Sequence, residues 1–349
     1  MEGKAAWVAQ PEAGTAPAMR LMRWLALHAP DWALKVLLWL LSAWFVAWPQ
    51  REAVRASADY LQRLGAATGF AARHRHALNF AHVMLDRVRL LAAGVDGFRI
   101  DADGQELIEE LHAEGRGAVL LGAHFGSFET LRAFDRTLPG LTVRYLMFAE
   151  HAAKSAGVYA EVNAEINNLI IPLERGPDAM LAVYEALDRG EFVAFLGDRM
   201  PDTGIRAQCP VQFLSGEIRV PTSPYIAAMA ARVPIFLCFA PRIGHRHYAI
   251  SFAPLFDGKP VPRAQRDALA GELAQRYADE LAVRCRDHPY NWFNFFDIWG
   301  DGLRGADAAQ RGRGADRKGA GEGGMDRLSR GDPSSRPART ADRTWTAGG

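Results

Sequence analysis

Ala118-Val-Leu-Leu-Gly-Ala-His-Phe-Gly-Ser-Phe-Glu129 (AVLLGAHFGSFE) is the stretch from which the chain is read. Ala118–Ala123 is short, uncharged and apolar, as expected of a strand buried on both faces. His124 follows at once, and Gly126 permits a tight turn. A helix carrying Phe128, Leu131 and Phe134 is expected next. His124 and Glu129 thus form an H-x4-E pattern at a strand-to-helix turn. With both residues on one helix, five steps of about 100° would place them about 140° apart. With His124 in the loop and Glu129 in the first helical turn, the carboxylate reaches one ring nitrogen. The other nitrogen then serves as a general base. The bland alternative is a histidine capping a helix, with an incidental glutamate.

The alternation extends on both sides. Helices are expected over 51–64 and 70–93, the second ended by Gly94. Asp103-Gly-Gln-Glu106 resembles a capping box ahead of a helix with Leu107, Ile108 and Leu111. Strands are expected at 142–148, 169–173, 192–196, 235–239 and 247–252. Helices are expected at 152–168, from Pro177, from Ser223-Pro224 with Ser223 as the cap, and along Leu269, Leu273, Tyr277 and Leu281. Residues 212–220 read as a hairpin around Ser215-Gly216. The predicted fold class is α/β, a central mostly parallel or mixed sheet flanked by helices. Ligands of such sheets sit beyond the carboxyl ends of strands.

The two ends differ from this middle. Six of the nine tryptophans (Trp7, Trp24, Trp32, Trp39, Trp44, Trp48) precede residue 49. VLLWLLSAWFVAW, residues 36–48, carries no charge. It is short against the ~20 residues of a spanning helix, and no small-residue cleavage site follows. Arg20 and Arg23 before it and Arg51 and Arg55 after it suit a helix in one leaflet, with tryptophans at the interface. A single-pass anchor and a buried helix of a soluble domain are the alternatives. From residue 303 the chain is rich in Gly, Arg and Ser and poor in large apolar residues, a composition expected to be disordered. The expected organisation is a membrane-anchoring helical region over 1–66, an α/β domain over 67–302 and a tail over 303–349.

The 349 residues carry 41 Lys+Arg against 40 Asp+Glu, a net charge of +1, which argues against a nucleic-acid partner. Cys209, Cys238 and Cys285 have neither metal nor disulfide spacing and read as thiols in a reducing compartment. His245-x-His247 lacks a third ligand at sensible spacing, so no metal is expected. There is no G-x-S-x-G elbow and no glycine-rich nucleotide motif. No cofactor is expected.

LGAHFGSFE resembles the H-x4-D/E block of the lysophospholipid acyltransferase superfamily, closest to the bacterial branch of lipid A late acyltransferases. Four further blocks agree in order. They are the N-terminal apolar helix with Arg51, Arg55 and Tyr60-Leu61; Leu173-Glu-Arg175 followed by Asp188-Arg-Gly-Glu191; Leu196-Gly-Asp198 with Gly204; and Phe213-Leu-Ser-Gly-Glu217 ahead of Pro221–Ala231. The similarity spans roughly residues 20–300. One block departs. Where the lipid A enzymes have a W-x-x-R-R-like basic stretch, this chain has the aromatic and acidic PYNWFNFFDIW, residues 289–299. That ending looks more like homologues associated with aryl-polyene and related lipid pathways.

The resemblance implies acyl transfer from acyl carrier protein or acyl-CoA to a hydroxyl or amine of a lipid or glycolipid. The expected place is the cytoplasmic face of the bacterial inner membrane. It implies His124 as the base and Glu129 as its orienting carboxylate. Arg175, Asp198, Arg199 and Arg219 are candidates for substrate binding, the arginines toward phosphates or an oxyanion. A lipid-binding or assembly protein on the same scaffold and a thioesterase are the alternatives.

Overall fold

The structure is a computed structural model that describes residues 24–48, 51–133, 138–147, 169–173, 176–199 and 207–300. The helix expected at 152–168, the tail from 303 and Arg175 lie outside the described residues.

After a helical stretch at 24–28 come α1 (Asp31–Val46), α2 (Glu52–Arg63) and α3 (Phe70–Ala93). Then follow β1 (Arg99–Asp103), α4 (Gln105–Ala113), β2 (Val119–Gly122), a 3-10 helix (Phe128–Ala133), β3 (Val143–Met147) and β4 (Ile170–Pro172). The second half runs α5 (Pro177–Asp188), β5 (Phe192–Leu196), β6 (Gln208–Phe213), β7 (Gly216–Pro221), α6 (Ser223–Ala231), β8 (Ile235–Phe239), β9 (Arg242–Gly244), β10 (His247–Phe256) and α7 (Arg266–Asp287).

The main sheet has the order β1-β10-β8-β2-β5-β3-β4, with β9 paired to β10. From β8 to β4 every pairing is parallel. β10 runs antiparallel to β8, and β1 is parallel to β10. The fold is therefore α/β with a mostly parallel central sheet flanked by helices. β6 and β7 form a separate antiparallel hairpin at the place the Ser215-Gly216 turn predicts.

Side-chain alternation explains why the central strands read as continuous apolar runs. Val119, Leu121, Val193, Phe195, Ile235, Leu237 and Phe239 face one core, with α5, α6 and α7. Leu120, Phe192, Ala194, Phe236 and Cys238 face the other, with Ile108 and Leu111 of α4. Both faces are covered, so neither can be polar. α7 lays Leu273, Tyr277 and Leu281 on the first core, and the Tyr277 hydroxyl donates to the Gly122 carbonyl at 3.0 Å.

Several local expectations are corrected. No side chain caps α4, because Asp103 ends β1, paired with Ser251, and Gly104 turns the chain in a left-handed conformation. α6 begins at Ser223 itself, so Thr222 takes the preceding position without a side-chain cap bond. β1 has a polar sequence, RIDAD, and gave no apolar signal. The segment after Ser127 is a single 3-10 piece over its described length. Among the described residues no helix is long and apolar enough to cross a membrane, and α1 has 16 residues. The single-pass alternative therefore has no support.

α1 instead lies on the protein in an inverted sense. Leu34, Ser42 and Val46 are its buried residues. Trp32, Val36, Leu37, Trp39, Leu40, Leu41 and Trp44 are exposed, Trp32 to 71%. The helix packs against α3. Its first turn is fixed by Asp31, whose Oδ1 meets Arg89 and Arg246 at 2.9 Å each.

Candidate functional site

The site forms where β2 and β5 end side by side. Their register pairs Gly122 with Leu196, so His124 and Asp198 each stand two residues beyond a paired position. The Gly197 N–H donates to the Gly122 carbonyl at 2.9 Å and carries the pairing one step further. Two side chains distant in sequence are thus delivered to the carboxyl edge of the sheet, where α/β folds place their ligands.

Asp198 Oδ1 is 2.9 Å from His124 Nδ1 and 3.2 Å from the His124 main-chain N–H. Asp198 Oδ2 accepts from the Trp292 indole N–H at 3.0 Å. Burial alone would raise the Asp198 pKa. The His124 ring, Arg199 and the Trp292 N–H together outweigh it and hold the group well below the usual carboxylate range. Because Asp198 is a carboxylate, His124 must donate from Nδ1, which leaves Nε2 with a free lone pair. Burial, then the Arg199 charge, lowers the His124 pKa against the opposing pull of Asp198. The ring is neutral near pH 7. The Asp198 side chain is wholly enclosed, whereas that of His124 is 36% exposed. A protected carboxylate behind a partly exposed imidazole is the arrangement of an oriented general base.

Main-chain bonds hold the histidine loop. Phe125 bridges Trp292 and Gly126 bridges Ala240. The Phe293 N–H donates to the His124 carbonyl and the Gly126 N–H to the Asn291 carbonyl, both at 2.8 Å. Gly126 has φ +67°, and a Cβ there would stand 1.8 Å from the Ala240 oxygen. Only glycine fits both that backbone conformation and that approach.

The expected bond between Glu129 and His124 is replaced by the one from Asp198. Glu129 Oε1 lies 2.6 Å from Arg87 Nε on α3, and Ser127 Oγ donates to Oε2 at 3.1 Å. The turn at Gly126 and the 3-10 helix lead the glutamate toward α3, while β5 already supplies a carboxylate at Nδ1. Asp198, expected to bind substrate, is instead sealed beneath His124. Arg199 also turns inward: Nη2 donates to the Phe293 carbonyl and the guanidinium stacks over Phe296, with Nε 3.8 Å from Asp198. Arg219 is exposed on β7, in the separate hairpin. His245 and His247 part ways, His245 toward Asp31 and His247 toward Asp101.

Two site residues escaped the sequence reading. Trp292 lies in the aromatic ending that stood out only as a departure from a basic pattern. Arg87 lies among several arginines of α3, and nothing in the sequence marks it out.

No curated protein matches the chain. A family model described as bacterial lipid A biosynthesis acyltransferase matches residues 79–300, from within α3 to the close of the aromatic ending. That span holds β2, β5, His124, Asp198 and Trp292, and the chain accordingly belongs to the bacterial lipid A biosynthesis acyltransferase family, as an acyltransferase enzyme.

Proposed function

We propose that this acyltransferase moves an acyl group from a thioester donor to a hydroxyl or amine of a lipid acceptor, with His124 as general base and Asp198 as its orienting carboxylate. The observation that carries the reading is the 2.9 Å contact between His124 Nδ1 and the enclosed Asp198 carboxylate, with the His124 side chain partly exposed. His124 Nε2 takes the proton of the acceptor group as its oxygen or nitrogen attacks the thioester carbonyl. The imidazolium that forms is stabilised by Asp198. Collapse of the tetrahedral intermediate breaks the C–S bond, and the departing sulfur takes the proton back from Nε2. One acyl bond forms, one thioester breaks, and a free thiol leaves.

The donor in this reading is a thioester on acyl carrier protein or coenzyme A, and the acceptor is a lipid or glycolipid at the cytoplasmic face of the inner membrane. The exposed tryptophans and leucines of α1 support interfacial attachment, since large apolar side chains turned outward on a helix mark a lipid-facing surface. A polyene acyl group is the finer option that the aromatic ending suggests. Glu129 acts at one remove, by holding the turn after His124 against Arg87.

The test uses the full-length protein with vesicles, a long-chain acyl thioester and candidate lipid acceptors. Thiol release accompanied by an acylated lipid in the mass spectrum, both lost in His124→Ala, is the expected result. Thiol release with free fatty acid alone would make the protein a thioesterase. Neither product from the wild-type chain would leave a lipid-binding protein.

A further inference from the structure

The Asp198 carboxylate has a second buried attachment on the side away from His124. The Trp292 indole is wholly buried. It is set edge-on to Tyr60 and Phe213, each with ring centroids 5.0 Å away, and to Trp299 at 5.9 Å. These rings leave it little freedom to rotate, so the direction of its N–H toward Oδ2 is fixed by packing. Its chain neighbours grip the histidine loop through the backbone: the Asn291 carbonyl accepts from the Gly126 N–H and the Phe293 N–H donates to the His124 carbonyl, which sets Trp292 opposite Phe125. The stretch 291–293 therefore sets the position of the loop that carries the base, while the Trp292 indole at its centre holds the carboxylate that orients it.

Trp292 is itself anchored from the N-terminal helices. Its carbonyl lies 2.8 Å from His76 Nε2 on α3, and His76 Nδ1 lies 2.8 Å from Ser57 Oγ on α2. A carbonyl only accepts, so His76 carries its proton on Nε2 and accepts from Ser57 on Nδ1. Burial lowers the His76 pKa to about 4, so this tautomer is neutral and stable near pH 7.

We propose that Trp292 is a positioning residue of the catalytic pair, held in place by His76 and Ser57, and that it sets how strongly Asp198 engages His124. The role assigned to His124 and Asp198 in acyl transfer is the reading on which this rests. The indole N–H shares the negative charge of Asp198. Without it the carboxylate accepts more strongly from His124 and is also less constrained in place. Arg199 and Arg87 are the other charges that bear on the ring, and neither is touched by the substitution.

Trp292→Phe keeps an aromatic ring and removes the N–H donor. The titration of His124, followed by NMR of the full chain labelled at histidine in detergent micelles, needs no substrate. It is expected to move upward by about half a pH unit or more, given the strength of a hydrogen bond to a charged group. The acid limb of kcat/KM should move with it, and kcat on the plateau should fall about tenfold with KM little changed. A purely structural tryptophan would lower the melting temperature and leave the titration where it was. An unmoved titration in folded Trp292→Phe overturns the proposal.

If that variant does not fold, His76→Leu and His76→Gln decide. The glutamine keeps a donor for the Trp292 carbonyl and should restore the wild-type titration, while the leucine should shift it. Identical behaviour of the two overturns the anchoring role. A shifted titration in a chain that transfers no acyl group would leave the positioning intact and remove only the acyl-transfer reading.

Discussion

His124 and Asp198 meet at 2.9 Å across 74 positions of sequence, because the parallel register of β2 and β5 brings two strand ends level. The pairing belongs to the sheet, and it fixes the tautomer of the histidine without help from any residue near it in the chain.

The first prediction follows from that bond. Asp198→Asn should cut turnover at least ~100-fold, in the range a positioned general base contributes, because the amide no longer stabilises the imidazolium. His124→Ala should lose as much while binding of the acyl donor survives, since the base acts in the transition state. The double variant should be little worse than His124→Ala alone. Multiplicative losses in single-turnover measurements would show that the two side chains act separately.

Glu129 should behave differently from Asp198. Its partner is Arg87, and both side chains are partly exposed, 20% and 27%. Glu129→Gln should therefore cost about 1 kcal/mol of stability or less and a smaller part of the turnover than Asp198→Asn. In a double-mutant cycle with Arg87→Gln the two changes should be non-additive. Equal losses of turnover in Glu129→Gln and Asp198→Asn would return the orienting role to Glu129.

The pH dependence has two parts. His124 is held below the ordinary histidine pKa of about 6.5, so activity should persist to a lower pH than an unperturbed imidazole would allow. His76, with a folded pKa of about 4, contributes stability that is complete above about pH 6.5 and is lost as the pH falls toward 4, because the unfolded state then binds the proton first. The loss amounts to about 3 kcal/mol for this one ring. Denaturant unfolding at pH 7 and pH 4.5 should show a smaller difference in His76→Gln than in the wild type.

Gly126→Ala should cost at least about 2 kcal/mol, from the left-handed backbone together with the clash against Ala240. Thermal unfolding measures it directly. A stability equal to the wild type would mean that the loop is free to take another path.

The outward face of α1 should matter for binding and little for folding. Trp32→Gln and Leu40→Gln, at residues 71% and 54% exposed, should each weaken partition onto vesicles roughly tenfold, in line with the burial of one large apolar side chain. The melting temperature in detergent should stay put. Unchanged sedimentation with vesicles would show that this face is not the one in contact with lipid.

The α/β alternation was legible because β2, β5 and β8 are buried on both faces and cannot hide their apolar runs. β1 was not, because RIDAD at the sheet margin needs its neighbour β10 more than it needs a core. His124 was legible from its place at a strand end. Asp198 stands at a strand end too, but no periodicity says that the two strands are adjacent, and so the sequence points to the nearer carboxylate, Glu129. Trp292 was hidden for another reason. An aromatic residue among aromatics reads as packing, and only its N–H direction gives it a part in the site.

Helix α3 brings its own constraint. It carries His76, which meets Trp292, and Arg87, which meets Glu129. Eleven positions at about 100° each close three turns to within about 20°, so both side chains leave the helix on one side. The helix thus keeps phase between two supports of the same centre. A single residue inserted or removed between them would leave every element intact and still swing one support about a quarter-turn out of reach, so this stretch of α3 should tolerate substitution far better than any change of length.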